Sequence, residues 1–159
     1  MADPQRDAQK SPKREDAPAP ALVLEDFLPY RIRRIADAVS LDFSRIYRER
    51  FGLTRPEWRA LATLGQFGTT TATAIGIHSA MHKTKVSRAV AELERRRWLV
   101  RSADPQDRRL EHLSLTKAGL AVYAELVPLA FAFENDLLSR MPTDRAAIIQ
   151  ALEAIERGL

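Results

Sequence analysis

The sequence contains no cysteine. That excludes disulfides, thiol-based peroxide sensing and thiolate zinc sites. No apolar run approaches the roughly 18–20 residues needed to span a bilayer. The first twenty residues lack the apolar stretch of a secretory signal, so the expected compartment is the cytoplasm. There is no glycine-rich phosphate loop and no legible nucleophile–base arrangement. The three histidines, His78, His82 and His112, are scattered and lack carboxylates at ligand spacing. The expectation is a protein that is not an enzyme and holds no metal and no cofactor.

What is present is a chain of 159 residues, 45% of them hydrophobic, enough for one domain or one domain with an oligomerisation element. Residues 1–22 are rich in Pro and Ala with balanced charge and read as a disordered tail. From Val23 on, Leu24, Phe27 or Leu28, Ile32, Ile35, Val39, Phe43 and Ile46 recur at three- and four-residue steps. This is a helical stripe of about six turns, stopped at Phe51-Gly52, with Pro29 predicting a kinked or separate first turn. A helix this long cannot bury its stripe within so small a domain, which predicts a homodimer. Thr54, Pro56 and Glu57 open a second helix with Trp58, Leu61, Leu64 and Phe67 inward, ended by Gly68. Thr71 opens a short third helix over residues 72–78, weak because of its β-branched residues and Gly76. A fourth helix is predicted over 83–97, a strand over 98–101, a tip over 102–109 and a return strand over 112–115. Thr116 then caps a fifth helix carrying Leu120, Tyr123, Val127, Ala130 and Leu137, bent at Pro128. Thr143 and Asp144 open a sixth. The predicted class is mainly α with a small antiparallel β-wing. One domain spans 23–159: a winged helix-turn-helix DNA-binding lobe over about 54–116, and dimerisation helices over about 23–51 and 116–159.

The charge pattern points the same way. The chain carries a net charge of +4, yet residues 82–109 alone hold nine Lys/Arg against four Asp/Glu, a local surplus of five. Localised positive charge suits a polyanion. On the fourth helix Val86, Ala89, Val90 and Leu93 gather on one side, and Thr84, Arg88, Ala91 and Arg95 lie opposite, flanked by Lys85 and Ser87. Small side chains let such a helix approach base edges, while Arg, Lys, Ser and Thr supply donors. Thr84, Lys85, Ser87 and Arg88 are therefore the candidate base-reading residues. At the tip, Asp104, Pro105 and Asp107 favour a tight turn. Asp107 is placed to pair with Arg109 and hold it for a narrow minor groove, with Arg108 as a phosphate contact. The competing reading of both segments is a solvated, salt-bridged surface.

The motif of Asp107 and Arg109, followed by Leu113-Ser114-Leu115-Thr116 and Gly119, resembles the wing of MarR-type winged-helix repressors. So do Val86-Ser87-Arg88, Val90 and Leu93-Glu94 in the fourth helix, and Leu53-Thr54, Trp58 and Leu61 around the second. The likeness covers about Val23 to Leu159. It implies a homodimer joined through the first, fifth and sixth helices, binding to a pseudo-palindromic operator in double-stranded DNA, and release by a small aromatic effector. The run Leu24 to Arg31, with Pro56-Glu57-Trp58-Arg59, is similar to a branch responsive to hydroxycinnamoyl-CoA thioesters. That likeness makes Tyr30, Arg31 and Arg34 the candidate ligand-binding residues for an aromatic anion or an aromatic acyl-CoA. The alternative for this trio is a Tyr30 packed at an interface beside solvated arginines. The chain departs from the family pattern in its uncharged third helix, whose seating on the fourth is thereby in question. It departs again at His82, which stands where an Asp often opens the fourth. Two other functions fit the same fold: a protein-interaction module that uses the winged helix as a scaffold, and an architectural DNA binder without an effector.

Overall fold

A hydroxyl or carboxylate opens four of the helices in the computed structural model, which describes residues 21–107 and 110–159. The order is α1 Leu28–Phe51, α2 Arg55–Phe67, α3 Ala72–Ser79, α4 Lys83–Arg95, β1 Leu99–Ala103, β2 Glu111–Leu115, α5 Lys117–Ser139 and α6 Arg145–Glu156. The class is thus mainly α with a two-stranded antiparallel wing. Glu57 Oε2 accepts from the Thr54 N–H at 3.1 Å before α2, and Thr71 Oγ1 accepts from the Ala74 N–H at 3.2 Å before α3. Thr116 Oγ1 accepts from Gly119 at 3.1 Å before α5, and Asp144 Oδ1 from Ala147 at 2.8 Å before α6. Each bond satisfies a backbone group that the first turn leaves orphaned. No described helix is long and apolar enough to cross a membrane. Of the expected tail, residues 1–20 lie outside the described residues.

The chain divides into two compact units after Ala36, within α1. In the first, the expected helix start at Val23 is replaced by a turn at 24–26, with Asp26 N–H bonded to the Val23 carbonyl. The helix begins at Leu28, so Pro29 falls in its first turn, where its missing N–H has no intrahelical partner to lose. Leu22, Val23, Leu24, Phe27, Leu28, Ile32 and Ile35 are all exposed.

The second unit, from Asp37, holds the core: Tyr47, Leu53, Leu61, Leu64, Ile75, Val86, Val90, Leu93, Leu99, Leu113 and Leu126. Aromatic rings close one side of it. Phe43 meets Tyr47, Trp58 and Phe133 at centroid distances of 5.2–5.4 Å, and Tyr47 stacks on Trp58 at 5.9 Å. Two expected inward residues face out. Phe67 is exposed and stacks on His78 at 4.2 Å, and Leu120 is exposed while Leu126, one and a half turns on, is fully buried. Gly119 explains the shift. A Cβ there would collide with the Trp98 carbonyl, so α5 is pressed against the start of the wing at this glycine. α5 then continues through Pro128 as one helix.

The third helix forms despite its propensities because its contacts favour it. Ile75 is completely buried, and a Cβ on Gly76 would stand 3.2 Å from the Met81 carbonyl and 3.6 Å from Val86. Gly76 thus lets α3 close onto α4, and an apolar residue does the seating in place of charge.

α4 stops two residues earlier than expected. Arg96 is its cap, and Arg97 adopts φ 61°, with its N–H on the Glu94 carbonyl and that of Trp98 on the Leu93 carbonyl. This left-handed stop is normally glycine's. The wing is longer than expected, pairing Leu99 with Leu115 through Ala103 with Glu111. Thr70 adds an isolated bridge to Leu113, which no sequence pattern predicts.

Arg97 stores strain that glycine would not. An L-residue in this region costs about 1–2 kcal/mol, partly offset by the greater unfolded-state entropy of glycine. Arg97→Gly should therefore be more stable than Arg97→Ala by roughly 0.5–1 kcal/mol. Urea unfolding of the two variants measures the difference; equal midpoints would mean the backbone relaxes.

Candidate nucleic-acid interface

Burial of one face of α4 determines what the other can touch. Val86, Ala89, Val90 and Leu93 are all in the core. The remaining faces carry the four residues predicted to read bases. Thr84, Lys85, Ser87 and Arg88 are all exposed, and none forms an ion pair or a side-chain hydrogen bond among the described residues. They lie within the first two turns of the helix, so the structure brings all four onto one accessible surface. His82 stands at the N-cap and makes no side-chain cap bond.

The surrounding cations divide into two sets. Lys83, Lys85, Arg88 and Arg97 are exposed and have no ion pair among the described residues. Arg95, Arg96 and Arg101 are committed. Arg95 lies on Glu92 at 2.6 Å, and Arg101 bridges Glu94 at 3.0 Å and Glu111 at 2.8 Å. Arg96 is the most engaged. Its Nε donates to Glu92 at 2.8 Å, and its two terminal nitrogens donate to the carbonyls of Phe51 and Gly52 at 2.9 Å each. Glu57 stands 3.7 Å away, and the guanidinium lies 5.2 Å from the Trp98 ring centroid. Hydrogen bonds from Arg95 and then Arg96 hold the Glu92 carboxyl down at about 2. The committed arginines thus brace the end of α4 and the wing. The uncommitted cations are the ones available to phosphates.

The wing turn is organised by Asp104. Its Oδ1 accepts from the N–H groups of Gln106 at 2.7 Å and Asp107 at 2.9 Å, while its backbone N–H donates to the Leu110 carbonyl at 2.9 Å. His112 Nε2 lies 2.8 Å from Asp104 Oδ2. No carboxylate stands at ligand spacing from a histidine in the sequence, yet these two residues, eight apart, become neighbours across the hairpin. No group of residues able to hold a metal forms among the described residues. Arg108 and Arg109 lie outside the described residues, and the predicted Asp107–Arg109 pair with them. Asp104 makes the side-chain-to-backbone bonds expected of it at the tip; what sequence reasoning missed was His112 as its partner across the hairpin.

Of the candidate ligand residues, Tyr30 is half-buried and Arg31 and Arg34 are exposed. Tyr30 and Arg34 are brought together, with the guanidinium 5.8 Å from the ring centroid. Among the described residues no side-chain hydrogen bond, ion pair or ring contact joins Arg31 to them. On the flank of α4 a groove of about 500 Å³ opens between α3, α4 and β1, lined among others by Ile77, Lys83, Ser87 and Arg101.

Residues 51–110 match a family model described as MarR family. A MarR family transcriptional regulator from Silicibacter pomeroyi shares 28% identity over 87% of this chain and 98% of its own, with a TM-score of 0.74. A MarR/EmrR family transcriptional regulator from Acinetobacter superposes with a TM-score of 0.76 at 22% identity, covering 86% of this chain and 97% of that one. BpsR of Bordetella bronchiseptica, whose DNA binding is regulated by 6-hydroxynicotinic acid, gives 0.75 at 23% identity over 86% and 98%. The last two likenesses speak for the fold. No curated protein matches by sequence.

The electrostatics of Asp104 yield a prediction. The hydrogen bond from His112, then those from the Asp107 and Gln106 amides, lower its carboxyl from 3.8 to about 2. A carboxylate whose folded value is depressed contributes stability above the unfolded value and loses it as pH falls through the folded one. The gap in urea midpoint between wild type and Asp104→Ala should be constant above pH about 4 and shrink toward zero near pH 2. A gap that persists at pH 2 would assign the stabilisation to packing.

Proposed function

We propose that this chain, a MarR-type winged-helix protein, is a ligand-responsive transcriptional regulator that acts as a repressor. As a homodimer it would bind a pseudo-palindromic operator in double-stranded DNA. The observation that carries this reading is the sorting of charge around α4. Thr84, Lys85, Ser87 and Arg88 stand uncommitted on the exposed surface of a helix anchored by its opposite face, while neighbouring arginines are consumed in bracing. A purely solvated surface gives no reason for that division.

In this reading the four residues enter a major groove, where Arg88 suits the fork of a guanine edge. Arg109 would enter the adjacent minor groove, and Arg108 would meet a phosphate. The apolar residues left exposed on α1, α5 and α6 support a second copy as the partner. Leu41, Phe131 and Leu152 are uncovered, and α6 buries no residue at all. Two copies would present two recognition helices to half-sites about one helical turn apart. The effector is a small aromatic acid or its acyl-CoA thioester, received at Tyr30, Arg31 and Arg34, where a ring and two cations lie within one helical turn or so. Its binding would change the spacing of the two recognition helices and weaken both contacts together.

The test is a titration of the chain against the DNA upstream of its own gene. Arg88→Ala and Arg109→Ala should each cost about 1–3 kcal/mol in binding. The logarithm of affinity should fall with the logarithm of salt with a slope of several units, reflecting phosphates contacted. Unchanged curves for both variants and a flat salt response would instead favour the interaction-module reading. Binding of equal strength to unrelated duplexes would favour the architectural one.

A further inference from the structure

The contact between His112 and Asp104 goes beyond what DNA reading requires of the wing. An ionised carboxylate offers only acceptors, so the proton in this 2.8 Å contact belongs to His112 Nε2. The two Asp104 oxygens have separate tasks: Oδ2 takes the His112 proton, while Oδ1 takes the amides of Gln106 and Asp107. A carboxylate free to rotate about its terminal torsion would present either oxygen, or neither, to those amides. Fixing Oδ2 from β2 therefore fixes Oδ1 toward the turn. The pair is well placed to persist, since both side chains are largely shielded, 31% and 20% exposed. Leu110 closes the same loop through its N–H on the Asp107 carbonyl.

We propose that His112 is a positioning residue of the DNA-binding wing. By holding Asp104 from the return strand, it sets the Asp104–Asp107 turn in the shape that the duplex meets. It touches no DNA itself. Nothing in the strand requires a histidine here: its cross-strand neighbour is Ser102, and the buried face of β2 belongs to Leu113. The inference rests on the DNA-binding reading above and adds to it a residue outside the recognition helix and the tip.

Two substitutions separate the hydrogen bond from the bulk of the ring. His112→Gln places an amide N–H near the Nε2 position; His112→Leu fills similar space without a donor. In amide NMR spectra of the whole chain without DNA, the Gln106 and Asp107 resonances should move in His112→Leu and stay near their wild-type positions in His112→Gln. Against a duplex of the chain's own upstream DNA at low salt, His112→Leu should bind about five- to tenfold more weakly, and His112→Gln should recover most of that loss. In an Asp104→Ala background, His112→Leu should add nothing further. Unmoved Gln106 and Asp107 resonances in the Leu variant overturn the proposal. So does wild-type affinity in that variant, or an equal loss in Leu and Gln. Failure of the wild-type chain to bind any duplex removes the DNA-binding reading itself, an outcome distinct from all three.

Discussion

The burial of Val86, Ala89, Val90 and Leu93 is the constraint on which the rest depends. A helix of 13 residues has little stability alone, so its orientation is set by what its apolar stripe packs against. Here that is α2 and α3, with Ile75, Leu61 and Leu64 fully covered. Once the stripe is seated, Thr84, Lys85, Ser87 and Arg88 have only one side of the molecule to occupy. The direction in which these four side chains face is therefore a by-product of core packing, and no polar interaction is needed to aim them.

Charge pairing then decides which cations remain available. A count of Lys and Arg from 82 to 109 suggests one undivided basic patch. The structure divides it. Arg95, Arg96 and Arg101 are neutralised by Glu92, Glu94 and Glu111, and Lys83, Lys85 and Arg88 are left at the front of the helix. Because the acids lie along the last turns of α4 and on β2, the unpaired cations of α4 itself lie in its N-terminal half, with Arg97 unpaired beyond its end.

Much of this was legible in the sequence because it is local. Capping residues, the 3.6-residue stripe of α4 and the alternation of Leu113 and Leu115 fix their elements within a few residues. The signals that failed are those made by distant parts of the chain. The penalty for Gly76 in a short helix was readable, but its benefit was not, because that lies in the Met81 carbonyl and Val86 packed on its bare side. Leu120 reads as a core position by spacing; the close approach of Gly119 to Trp98 rotates Leu126 inward instead. The end of α4 was misread because a left-handed stop at Arg97 carries no glycine to announce it. The contact of His112 with Asp104 leaves no trace in the sequence because hairpin register, not sequence spacing, makes it.

The Arg96 guanidinium grips both carbonyls at the end of α1 while its own backbone caps α4. Those two helix ends are consequently tied through one side chain. From that tie α4 extends roughly 20 Å at 1.5 Å per residue. A turn of about 10° there would swing its far end, with Thr84 and Lys85, through about 3 Å, the length of a hydrogen bond. Leverage of this kind would magnify a small disturbance at the base of the helix into a displacement of its far end.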